Sequence, residues 1–122
     1  MKLRIYNNSI RIRLSKPEVE QFCRDKNLRD HISFPGNNFS YALQVLPGMT
    51  EFAADFAQGT MTITVPEAVI QNWDTSEETG FQATVDSGKG ELLRLIIEKD
   101  FKCKENNLED QSQNYDNPGK TC

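Results

Sequence analysis

Residues 60–73, TMTITVPEAVIQNW, constrain the fold more than any other stretch, because a segment of the same design begins fifty-one residues earlier. Met61, Ile63 and Val65 alternate with Thr60, Thr62 and Thr64, the period-two pattern of a half-buried strand. Thr64 precedes Glu67 by three residues, the spacing of a capping box, and Pro66 suits a first helical turn. Val69, Ile70 and Trp73 then share one helical face. In the earlier segment Ile10, Ile12 and Leu14 alternate with Arg11 and Arg13. Ser15 and Glu18 form a second capping-box pair around Pro17, and Val19, Phe22 and Cys23 line the helix.

The surroundings repeat as well. Asn7-Asn8 predicts a tight hairpin turn that sets Ile5 opposite Ile10 and Leu3 opposite Ile12. Gln58-Gly59 does the same for Phe56 with Met61 and Ala54 with Ile63. The first helix is expected to end near Lys26, with Asn27 as the left-handed residue and Leu28 packing back. Two further strands follow in each half. One pair lies near His31–Phe34 and Phe39–Val45, around the turn Pro35-Gly36-Asn37-Asn38. The other runs through Phe81, Ala83 and Val85 and then Leu92–Ile97, whose apolar run suits a central strand. The expected fold class is α+β, mostly antiparallel β with two short helices. It is built by internal duplication of a ββαββ unit and closes into one small barrel within the chain; an open sheet with both helices on one face is the alternative. Repeats of about 1–47 and 51–100 make one domain, 1–103, followed by a polar acidic tail, 104–122.

The unit Gly59–Pro66, with Val69, Trp73 and the hairpin Phe81–Glu98, resembles the AbrB/MazE-type swapped-hairpin domain. In that family two chains interlock into a small barrel, so the resemblance implies that this chain carries both halves. Ser15 stands where the second copy has Pro66, a departure that weighs against carrying over the family's DNA-binding role. The chain is also similar to an uncharacterised family of small bacterial proteins. The similarity lies at Asn8–Ser15 (NSIRIRLS), at Glu98–Cys103 (EKDFKC), in the acidic stretch, at Asn117-Pro118 and at the late Cys122. It brings no activity with it.

Charge narrows the function. Net charge is −4, which disfavours a dedicated nucleic-acid binder. Residues 1–50 nevertheless hold eight Lys/Arg against four Asp/Glu, and residues 51–122 six against fourteen. Four of those cations crowd the first hairpin, with Lys2 across from Arg13 and Arg4 across from Arg11. Like charges so opposed favour an anion between them. The functional reading is an anion-binding set, Lys2, Arg4, Arg11 and Arg13; the plain one is a solvated strand face paired with the protein's own acids. The opposite charge of the two ends also raises the idea that the tail lies across this hairpin.

A second set lies in the tail. Cys103 and Cys122 bracket Glu109, Asp110 and Asp116, which as thiolates and carboxylates offer a metal or thiol site, although the paired short spacings of zinc motifs are missing. Cofactors are therefore unknown, with a metal left open. Nothing nominates an enzyme: His31 is the one histidine and reads as structural, and no nucleophile stands beside a base. Three cysteines and the lack of a long apolar run point to a cytoplasmic protein away from the membrane. The function expected is a small non-enzymatic binding or regulatory domain whose partner is a protein or an anion. The alternative is a metal- or thiol-dependent protein.

Overall fold

The computed structural model describes residues 1–101. Eight strands and two helices follow in order: β1 Lys2–Tyr6, β2 Ser9–Leu14, α1 Lys16–Asp25, β3 Asn27–Phe34, β4 Asn37–Gln44, β5 Ala53–Ala57, β6 Thr60–Thr64, α2 Glu67–Ile70, β7 Gly80–Asp86 and β8 Leu92–Lys99. They build two four-stranded sheets, β1-β2-β8-β7 and β3-β4-β6-β5. Four ladders are antiparallel hairpins, and two are parallel, β2 with β8 and β4 with β6. Each sheet thus takes one hairpin from residues 2–44 and one from residues 53–99.

The hairpin registers are those the alternation predicts. Leu3 faces Ile12 and Ile5 faces Ile10; Ala54 faces Ile63 and Phe56 faces Met61. The turns reach them through matched backbone: Asn7 has φ 52° and Gln58 φ 51°. With these registers fixed, the parallel ladders set Ile12 beside Ile97 and Leu43 beside Ile63, all four fully buried. Phe22 and Trp73 complete the same core cluster with Leu14, Val19, Val65, Ile70 and Leu95. The Trp73 indole N–H donates to the Glu78 carbonyl at 2.9 Å, and its ring lies 4.8 Å from that of Phe81, so the buried ring has its polar atom satisfied.

The expected closed barrel is not formed. Among the described residues each sheet is open, with β1 and β7 as the edges of one and β3 and β5 as the edges of the other. The parallel ladders join hairpins within each sheet, and no ladder runs from one sheet to the other. Nor is it the single open sheet that was the alternative. Local differences also have causes. α1 has its capping box, with Ser15 N donating to Glu18 Oε1 at 2.8 Å and Glu18 N to Ser15 Oγ at 3.4 Å. α2 has none: its N-cap is Pro66, and the Thr64 hydroxyl is buried, accepting from Gln44 Nε2 at 3.0 Å. Without a cap α2 lasts four residues. The left-handed residue after α1 is Lys26, φ 62°, not Asn27, so β3 begins at Asn27 and takes in His31.

Two stability outcomes follow from this packing. Trp73→Ala empties the space of a side chain that is 1% exposed and is expected to cost about 3–5 kcal/mol, read as a lower denaturation midpoint. Gly80 tolerates no side chain, since a Cβ there would lie 2.4 Å from the Ile97 carbonyl oxygen and 2.7 Å from Glu98 Cα. Gly80→Ala is expected to destabilise by about 1–3 kcal/mol in the same assay.

Candidate basic sheet face

Alternation along β1 and β2 carries Leu3, Ile12 and Leu14 to the core and Lys2, Arg4, Arg11 and Arg13 to the outer face. The predicted juxtapositions are present: Lys2 faces Arg13 and Arg4 faces Arg11. The parallel neighbour β8 adds to this face. Arg94 lies beside Ser9, Ile96 beside Arg11 and Glu98 beside Arg13. Five cations, Lys2, Arg4, Arg11, Arg13 and Arg94, therefore occupy one face of one sheet.

The protein supplies partners of its own to this face. Glu98 Oε1 accepts from Arg13 Nε at 2.9 Å and lies 3.5 Å from Arg11 Nε. Lys2 Nζ sits 2.7 Å from Asp100 Oδ2, just past the end of β8. Arg94 Nη2 donates to Gln82 Oε1 at 3.4 Å. These pairs sit at a solvated surface, where each contributes about 0–1 kcal/mol. They orient the guanidinium groups of Arg11 and Arg13 and the Lys2 ammonium. The outer face of the other sheet differs in kind, presenting Ser40, Gln44, Thr60, Thr62, Ala53 and Asp55, with Arg29 donating to Thr60 Oγ1 at 3.4 Å.

Arg94, Glu98 and Asp100 were missed as members of this face because they lie eighty or more residues from the first hairpin. The alternation of Leu93, Leu95 and Ile97 with Arg94, Ile96 and Glu98 was the available signal; the partner strand was not. The candidate thiol and carboxylate set, Cys103, Glu109, Asp110, Asp116 and Cys122, lies outside the described residues, as does the tail suggested to cross the basic hairpin. Within residues 1–101, no group of three or more His, Cys, Asp or Glu side chains is placed to hold a metal ion. Cys23 is half-buried, its Sγ 3.5 Å from the Ile70 carbonyl, and burial pushes its thiol above the ordinary value. His31 is exposed on β3. No helix among the described residues is long and apolar enough to cross a membrane.

A separate ionic cluster lies on α1. Glu18 accepts from the Met1 ammonium as well as from the Ser15 backbone, and Asp30 Oδ2 lies 3.4 Å from the same ammonium. Burial alone raises the Glu18 carboxyl, but the ammonium and Ser15 outweigh it and hold the group below its ordinary value. A carboxylate depressed on folding contributes stability that is present above its unfolded pKa and is lost as pH falls through the folded one. Stability is expected to drop on acidification below the usual glutamate range, about 4.3, and Glu18→Gln to flatten that limb of the pH–stability curve.

A family model described as a family of unknown function, DUF7009, matches residues 1–119. No curated protein and no solved structure matches the chain.

Proposed function

Starting from the family to which the chain belongs, DUF7009, whose function is unknown, we propose that the protein is a small non-enzymatic, cytoplasmic binding or regulatory domain whose basic sheet face takes an anionic partner. The observation that carries this reading is the crowding of Lys2, Arg4, Arg11, Arg13 and Arg94 on one outer face, where Glu98 pairs with Arg11 and Arg13 and Asp100 with Lys2. Opposed cations raise the energy of the isolated face, and an anion of extended charge lowers it. Such a surface recognises phosphate or sulfate groups by charge and by the forked geometry of arginine.

The architecture proposed beneath this face is a duplicated ββαββ unit whose halves exchange hairpins, as in the swapped-hairpin domains the sequence resembles. Its support is the equivalence of the two sheets. The order β1-β2-β8-β7 maps onto β5-β6-β4-β3 when each strand is replaced by the one four places away in the chain. Asn7 maps onto Gln58 with the same positive φ, and Phe22 onto Trp73 at the same buried level. Duplication then supplies two similar sheets, and substitution has made one of them basic.

Retention on heparin and binding of a single-stranded oligonucleotide at about 50 mM salt test the reading. The expected result is binding that weakens steeply with salt. Arg4→Gln combined with Arg94→Gln lowers the slope of log K against log salt by about 2, one per lost phosphate contact. Glu98→Gln, which removes the competing internal acid, is expected to tighten binding. Absence of binding at the lowest salt, or a slope indifferent to these substitutions, overturns the proposal.

A further inference from the structure

Among the described residues the four sheet edges differ in how they are protected. An open edge offers outward N–H and C=O groups to any passing strand, and proteins blunt such edges with charges, prolines or short length. β1 is five residues long and carries Lys2 and Arg4. β5 is also five residues and carries Asp55 at its centre. β3 has eight residues, with Arg29 and Asp30 in succession and His31 next to them. β7 is the exception: seven residues, GFQATVD, with no proline and no charge before its last position. Phe81, Ala83 and Val85 are half-buried on its inner side and Gln82 and Thr84 exposed on the outer.

We infer that β7 is a dimerisation edge, pairing antiparallel with β7 of a second copy so that the sheets β1-β2-β8-β7 of the two copies run on as one. The strand is complementary to itself. A two-fold axis through Ala83 sets Ala83 against Ala83, Phe81 against Val85, Gln82 against Thr84 and Gly80 against Asp86. Apolar residues then meet apolar residues on the inner side, neutral polar residues meet on the outer side, and no like charges are opposed. The same axis places the smallest side chain of the inner row at the closest approach. A symmetric contact of this kind satisfies both edges at once and closes after two copies. An unrelated extended peptide has no such match to the alternation of β7; a second copy would set Arg4 against Arg4 on β1 and Asp55 against Asp55 on β5, and β3 carries Arg29, Asp30 and His31 in succession.

Analytical ultracentrifugation of the full chain from about 1 μM to about 1 mM tests this. The expected result is a dimer that dissociates on dilution. The discriminating variant is Gln82→Glu with Thr84→Glu. Within one copy both carboxylates lie near Arg94, which faces Thr84 across the ladder and already donates to Gln82 at 3.4 Å, so the fold is kept. Across the axis they oppose each other twice, and like charges so placed are expected to weaken association by at least about tenfold. Unchanged circular dichroism and Trp73 fluorescence establish that the variant is folded. A wild-type chain monomeric across the whole range, or a dimer unmoved by the double substitution, overturns the inference.

Discussion

The parallel pairing of β2 with β8 and of β4 with β6 is the interaction on which the rest of the structure depends. Neither half of the chain owns a complete sheet. A lone two-stranded hairpin is marginal in water, and each of the four hairpins here gains its third strand from the other half. The two parallel ladders bring Ile12 to Ile97 and Leu43 to Ile63, and these contacts close the core over Phe22 and Trp73. The cost is loop closure across about eighty residues for β2 and β8, which rises only slowly with length. Burial of apolar surface from four strands and two helices offsets it.

Local chemistry was readable and distant pairing was not. The two tight turns, the registers of the first and third hairpins, the start of α1 and the burial of Phe22 and Trp73 all follow from residues within a few positions of one another. β8 was legible as a central strand because Leu92–Ile97 is apolar on both of its faces. The second capping box failed for a tertiary reason: Thr64 sits on a strand between two others, and its hydroxyl is taken by Gln44 before it can cap α2. The closed barrel failed for a related one. Alternation fixes which face of a strand is buried, but says nothing of whether the outermost strands of two sheets meet. The basic face was half legible. Lys2, Arg4, Arg11 and Arg13 announced themselves by register, whereas Arg94, Glu98 and Asp100 joined them through the parallel ladder, which no local pattern encodes.

That ladder also sets the electrostatics. It places Glu98 beside Arg13 and within reach of Arg11, so the acid that orients the two guanidinium groups comes from the other end of the domain. An isolated basic hairpin would be self-repelling; joined to β8 it becomes an ordered face. The face is therefore a product of the assembled sheet and disappears with it, so an anion bound there, as proposed, would stabilise the native state by linkage.

The open edges follow from the same constraint. Hairpins joined in pairs leave two outer strands per sheet among the described residues, and three of those four carry the charges that keep such strands apart. β7 departs from them, and it belongs to the sheet that bears the cations. Pairing β7 with its own copy about an axis through Ala83 leaves Gln82 and Thr84 of both copies on one common face, the face that carries Arg94, Arg11 and Arg13. The two basic surfaces would then lie side by side on an eight-stranded sheet, their β1 cations at its far ends. An extended polyanion could engage both copies at once, and the effective concentration of the second site would raise its avidity without any new contact. An uncharged edge on the basic sheet thus has a physical use that the same edge on the threonine-rich sheet would not have.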